Sequence, residues 1–212
     1  METVGALRLQ CIRHGLPSSG KKSELLLRLK DGFPRPKASD TIKSIISIDL
    51  GIKNCAIAHV QRPQGTLLNW QLYDVNTFGP TGSVKEMAKT GRVFYETAIG
   101  KIQSDKTVIV AEKQRHRSGG QPGVLESIFQ SILLEMVIAM LAGDRFISVE
   151  PKSVAKYYNL PVGYREKKKA VIEHVKSLKL PPEHEEFFKK QKKKDDLADA
   201  IMQALAVNAW LG

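Results

Sequence analysis

An α/β fold, a mixed five-stranded sheet flanked by helices with a small helical module in front, is predicted by three features of this 212-residue chain. Runs rich in β-branched residues at 44–50 (SIISIDL) and 107–112 (TVIVAE) read as buried central strands. The first strands follow one another directly, whereas the later ones are separated by helical patterns, so antiparallel pairing gives way to parallel crossovers. Phe33-Pro34-Arg35-Pro36-Lys37-Ala38-Ser39-Asp40 ends the N-terminal helical pattern, because no helix runs through two such prolines.

In chain order, residues 1–34 hold two short helical patterns. Leu7, Leu9 and Ile12 precede a Gly15-Leu16-Pro17 turn, and Leu25, Leu26 and Leu29 follow Ser18-Ser19-Gly20. A segment of about 30 residues buries little by itself, so it is expected to be an appended module. Residues 35–41 are the linker and 42–212 the main domain. After the strand at 44–50, Gly51-Ile52-Lys53-Asn54 turns the chain, residues 55–60 return as a second strand and 67–75 form a third. Residues 83–103 are helical, with Met87, Val93, Phe94, Ala98 and Ile102 on one face. Behind the strand at 107–112, a polar loop at 113–123 leads into a long apolar helix, 124–141. A last strand at 145–149 precedes three helices, around 153–158, 166–178 and 194–210.

Composition narrows the partners. A hydrophobic share of 42% and a charged share of 26% exclude wholesale disorder. The 33 Lys and Arg against 22 Asp and Glu leave a charge of +11, which points to nucleic acid or an anionic membrane surface. No apolar run reaches the roughly 18 residues of a membrane span. The densest, 124–141, is interrupted by Glu126, Gln130, Ser131 and Glu135, so it reads as a core helix or an interface helix. No membrane association is expected. Cys11 and Cys55 stand without a CxxC or a His/Cys cluster, so neither a disulfide framework nor a structural zinc site is expected. Arg8 and Arg13 are accompanied by Glu2 and by no apolar segment, so the N-terminus does not read as a secretory signal.

Three acidic positions carry the chemistry. Asp49 closes an apolar strand and Glu112 closes another; central neighbouring strands would bring both to one sheet edge. Buried carboxylates without a compensating cation cost several kcal/mol. The third is Asp195-Asp196-Leu197-Ala198-Asp199, opening an otherwise apolar helix. At about 100° per residue, Asp199 lies about 40° from Asp195 and about 60° from Asp196. Capping of the helix accounts for acids in a first turn, but three in five residues exceed what a cap requires. Carboxylates from two strands and one helix suit Mg²⁺ or Mn²⁺. Two such ions per active site, about 3.5–4 Å apart, perform in-line phosphodiester hydrolysis.

Ile48-Asp49-Leu50-Gly51-Ile52-Lys53-Asn54, Val110-Ala111-Glu112-Lys113-Gln114-Arg115 and Asp195-Asp196-Leu197-Ala198-Asp199-Ala200 together resemble the RNase H-like superfamily. Within it they are similar to the fungal mitochondrial Holliday junction resolvases, relatives of bacterial RuvC. The resemblance implies that Asp49, Glu112 and Asp199 are catalytic metal ligands, with Asp195, which helical geometry slightly favours, or Asp196 as the fourth. It also implies a homodimer that cuts two opposed strands of four-way junction DNA in mitochondrial recombination. The N-terminal pattern Leu9, Ile12, Gly15-Leu16-Pro17, Gly20-Lys21-Lys22, Leu25 and Arg28-Leu29 is similar to a SAP module, a DNA-binding unit that such resolvases carry. One departure stands out: the bacterial enzyme has an aromatic three residues past its second acid, and here that place is Arg115.

Basic and polar residues assigned to DNA are Lys21 and Lys22 of the module, and Lys53, Asn54, Gln114, Arg115, His116, Arg117, Lys167, Lys168, Lys169 and Lys193 around the acids. For Lys167, Lys168 and Lys169 a solvated helix face is the competing reading. Tyr157, Tyr158 and Tyr164 are candidates for stacking on bases or for packing at the core rim. Trp70 and Trp210 are expected in the core. The competing functions are a non-catalytic DNA-binding protein of the same fold and a nuclease for RNA–DNA hybrids. An actin-like ATPase, which opens with a motif comparable to that around Asp49, needs two such lobes and is excluded by length.

Overall fold

The structure, a computed structural model, describes residues 2–34, 42–114 and 122–212. The expected linker, 35–41, and most of the loop after Glu112 lie outside the described residues. Five strands form one mixed sheet: β1 (Ser44–Asp49), β2 (Cys55–Gln61), β3 (Thr66–Tyr73), β4 (Thr107–Glu112) and β5 (Phe146–Val149). Their order is β3-β2-β1-β4-β5. β1 is antiparallel to β2 and parallel to β4, and β5 continues the parallel half. A tight turn permits the β1–β2 hairpin, since a Cβ on Gly51 would stand 2.8 Å from the Asn54 carbonyl oxygen.

The helices are α1 (Val4–Arg13), α2 (Lys22–Asp31), α3 (Val84–Phe94), α4 (Pro122–Ala142), α5 (Pro151–Tyr157), α6 (Tyr164–Ser177), α7 (Pro182–Lys190) and α8 (Lys194–Trp210). Four helices follow β5, where the sequence pattern predicts three. The additional one, α7, has a charged sequence (PEHEEFFKK) with too narrow an apolar stripe to declare itself. Its signals were the proline at its start, Glu183 and Glu185 in its first turn and Lys189 and Lys190 in its last.

Strand alternation sorts the core into two layers. Ile46, Ile48, Ile57, Ile109 and Ala111 face one way and pack with Met87 and Phe94 of α3 and Leu134 and Ile138 of α4. Ile45, Ala56, Ala58, Val108 and Val110 face the other way and meet α8, whose Leu197, Ile201, Ala204 and Val207 are buried. Polar contacts fix α8 against this face. Gln203, itself buried, donates to Ser47 Oγ at 3.1 Å, and the Trp70 indole N–H donates to the Leu197 carbonyl at 3.0 Å. Trp70 stacks on Phe188 of α7 with ring centroids 4.9 Å apart, which gives that helix its anchor.

The N-terminal helices do not hang from the domain. Leu7, Cys11, Leu16, Leu25 and Phe33 belong to the same buried cluster as α8. Trp210, 3% exposed, is the joint: it lies 5.2 Å from the Phe33 ring and 5.7 Å from Tyr157. Gly15, at φ +70°, approaches so closely that a Cβ would come within 2.3 Å of the Trp210 ring. Lys156 of α5 adds a hydrogen bond of 2.7 Å to Ser18 Oγ. Both cysteines are buried and free. Loss of a buried indole costs about 3–5 kcal/mol, so Trp210→Ala is expected to lower the melting temperature by roughly 10 °C. A change of only a degree or two in calorimetry would show that the module is tethered without being packed.

Candidate active site

Register brings the two strand acids to one end of the sheet, and α8 brings the other three to the same side. β1 and β4 run parallel with Ile48 opposite Ala111, so Asp49 and Glu112 leave adjacent strands at the same end. Alternation puts both on the face of Ile45 and Val110, the face covered by α8. There α8 begins, with Asp195 and Asp196 in its first turn and Asp199 one turn on. Burial raises the Asp49 carboxyl well above the usual carboxylate range, and the charges of Glu112, Asp199, Asp196 and Asp195, in that order, push it further. Every acid singled out from the sequence therefore acts on Asp49.

The α8 acids are not equivalent. Asp195 is paired with Lys168 of α6. Burial alone would raise its carboxyl, but the hydrogen bond and charge of Lys168, with Lys193 nearby, hold it below its ordinary value. Asp196 is pushed up to about 6, by burial first and by Asp195 next. Asp199 is raised by burial, with Lys167 opposing. Asp49 and Asp196 line one cleft of about 760 Å³. Glu112 and Asp199 line a small adjoining pocket together with Lys167. Among the described residues, no three His, Cys, Asp or Glu side chains are gathered closely enough to hold an ion as they stand. The donor set nevertheless suits a hard divalent cation. All four acids of the two pockets offer carboxylate oxygens, and mutual repulsion at Asp49 is what a cation would relieve.

Other residues named from the sequence distribute unevenly. Lys53, Asn54, Lys168 and Lys193 line the large cleft, and Lys167 faces the Glu112–Asp199 pocket. Lys169 is exposed on the outer side of α6. The Gln114 side chain turns back to donate to the Glu112 carbonyl at 3.0 Å, while its backbone N–H donates to Glu135 of α4, so it buttresses the end of β4. Arg115, His116 and Arg117 lie outside the described residues. Lys21 and Lys22 start α2 and do not line the cleft. Tyr157 and Tyr158 pack against Trp210 and His174, respectively, whereas Tyr164 stands on the cleft. Asn76 and Thr81 form a cleft wall that the sequence reading missed; Thr81 donates to Asn76 Oδ1 at 2.9 Å, and Asn76 donates to Asp74 at 2.9 Å. Its signal, an Asp-x-Asn turn after β3, is one that plain connecting turns share.

Because the fold holds protons on Asp49 and Asp196 more tightly than the unfolded chain does, stability falls as pH rises from about 4, through about 6 for Asp196 and through its own raised range for Asp49. Asp49→Asn in a chelating buffer is therefore expected to raise the melting temperature by several degrees at about pH 7.5, with the gain vanishing near pH 4. Equal gains at both pH values in scanning calorimetry would remove the electrostatic explanation.

Comparison with known proteins places this architecture. Residues 45–181 match the family model described as mitochondrial resolvase Ydc2 / RNA splicing MRS1. The crystal structure of the yeast mitochondrial Holliday junction resolvase Ydc2 superposes with a TM-score of 0.74 at 26% identity, over 99% of this chain and 93% of that one. RuvC of T. thermophilus, in complex with Holliday junction substrate, gives a TM-score of 0.50 at 14% identity, over 77% of this chain and 91% of that one, a likeness of fold. No curated protein matches by sequence. The RNase H-like sheet expected from the three acidic motifs is the one present, and the chain belongs to the mitochondrial resolvase Ydc2 / RNA splicing MRS1 family.

Proposed function

We propose that this protein is a structure-selective endonuclease that resolves four-way DNA junctions by divalent-metal-dependent phosphodiester hydrolysis. The observation that carries the reading is the crowding of Glu112, Asp199, Asp196 and Asp195 upon Asp49 in a chain of charge +11. A module that only binds nucleic acid has no use for concentrated negative charge at the floor of its cleft. The family description pairs a resolvase with an RNA-splicing protein, and this acid set favours the member that cuts.

Asp49, Glu112, Asp199 and Asp196 are the residues that would hold Mg²⁺ or Mn²⁺, in a two-ion site. Asp195 is the less suited fourth ligand, since Lys168 already occupies it. When bound, such ions activate water and stabilise the leaving oxygen. The chain's own residues do the rest. Lys53 and Lys193 flank the cleft and hold the phosphate backbone. Lys167 and Lys168 offset the carboxylate charge beside the ligands. Lys169 on α6, and Lys21 and Lys22 on the SAP-like N-terminal helices, extend the basic surface along the arms of the junction.

Resolution needs two sites on a dyad, and α4 supplies the surface for a second copy. Leu134 and Ile138 are buried against the sheet, while Leu125, Phe129, Met136 and Met140 form an exposed stripe at helical spacing. Contrary to the expectation from the sequence, Leu125–Arg145, with a mean hydropathy of 1.7, is long and apolar enough to cross a membrane, because Glu126, Gln130, Ser131 and Glu135 interrupt it too thinly to lower its mean hydropathy. Its buried face and the hydrogen bonds that Glu135 accepts from Gln114 and Ser148 favour a helix packed on one side and paired with its copy on the other. The family's mitochondrial description supports action on mitochondrial DNA.

Two outcomes test the reading. Glu112→Gln and Asp199→Asn are each expected to slow junction cleavage in Mg²⁺ by on the order of 100-fold or more, with junction binding retained. Cutting that survives both substitutions, or that falls equally on linear duplex and RNA–DNA hybrid, overturns junction-specific catalysis. Phe129→Asp combined with Met136→Asp is expected to halve the mass seen by light scattering and to abolish paired nicking. An unchanged mass would assign the stripe elsewhere.

A further inference from the structure

The turn into α6 carries an apolar tip beside the acids. Val162 is fully exposed and Tyr164 is 71% exposed. Exposed valine and tyrosine two residues apart have no packing role to explain them, and Tyr164 lines the same cleft as Asp49 and Asp196. The tyrosine ring is not loose, however. The Lys168 ammonium sits 4.8 Å from its centroid, and Lys168 is in turn held by Asp195. A cation over one part of the ring orients it and leaves most of its surface open to the cleft. The acid of α8 that is least available as a ligand thus has a second use, as the positioning residue for an aromatic platform.

We propose that Tyr164, with Val162 beside it, stacks on a base displaced from the helix next to the scissile phosphate, and that this contact makes cleavage selective for branched DNA. The inference rests on the nuclease reading above and adds to it a source of selectivity. In continuous duplex the bases flanking a cut are stacked on their neighbours, and opening a step costs a few kcal/mol. At a branch point one neighbour is already lost, so an aromatic face in the cleft gains the stacking contact at little cost. The contact is tolerant of base identity, because every base has a π face. It also supplies an aromatic at the cleft by a route independent of the loop that carries Arg115.

Tyr164→Ala and Tyr164→Phe separate stacking from the rest. Tyr164 is exposed, so neither substitution threatens folding. The alanine variant is expected to lose on the order of tenfold or more in single-turnover junction cleavage, while the phenylalanine variant, which keeps the ring, retains the wild-type rate. Asp195→Asn, which releases Lys168, is expected to show an intermediate loss. Independently, a junction carrying 5-iodouracil beside the branch, bound to the Asp49→Asn protein and irradiated, is expected to crosslink to the peptide containing Tyr164. Undiminished cleavage by Tyr164→Ala, or crosslinks confined to other peptides, overturns the proposal. A wild-type chain that binds the junction without cutting it counts against the nuclease reading instead, and the crosslink then still decides the stacking.

Discussion

Parallel pairing between β1 and β4 is the constraint from which the site follows. It sends Asp49 and Glu112 out of one sheet edge on one face, and α8 crosses that face with its acidic first turn directly above them. Like charges at this separation oppose the fold. What holds them is the apolar remainder of α8, buried from Leu197 to Trp210, with Gln203 and the Trp70 indole fixing the helix at particular points on the sheet. Hydrophobic burial, non-directional and large, is set against a local electrostatic cost, and the balance leaves mutually repelling acids beside Asp49 in an otherwise basic protein.

α6 answers that cluster from the opposite side. Its lysines do not form a uniform solvated face: Lys168 is committed to Asp195, Lys167 lies beside Glu112 and Asp199, and Lys169 faces solvent. Three consecutive residues with the same side chain therefore sit in three environments, because successive positions on a helix point about 100° apart. The same rotation brings Tyr164 under the Lys168 ammonium four residues later. One short helix thus tempers the acids, lines the pocket beside them and carries an aromatic to the mouth of the cleft.

The N-terminal helices are joined to this framework chiefly around one aromatic centre, with the Lys156–Ser18 hydrogen bond beside it. Trp210 ends α8 and touches Phe33, Tyr157 and the backbone at Gly15. The helix that carries the acids at its start therefore carries the anchor of the N-terminal pair at its end.

Much was legible in the primary order. The β-branched runs ending in Asp49 and Glu112, and three aspartates in five residues opening an apolar helix, mark acids where acids are costly, and this local anomaly is readable without coordinates. The succession of strands and helices follows from periodicity of the same kind, whereas the strand order β3-β2-β1-β4-β5 was decided by tertiary pairing. α7 was not legible, because its apolar content is Phe187 and Phe188 and their value depends on Trp70, far away in sequence. Nor were the division of labour between Asp195 and Asp196, the inward turn of Gln114 or the docking of residues 2–34 on Trp210. Each of these depends on which side chain arrives from another element, and spacing along one helix does not encode that. Residue chemistry and period thus determined which groups would be expensive to bury and on which elements they sit; only the packing of α6, α7 and α8 on the sheet decided which acid meets a lysine, which faces the cleft and which ring is left open beside it.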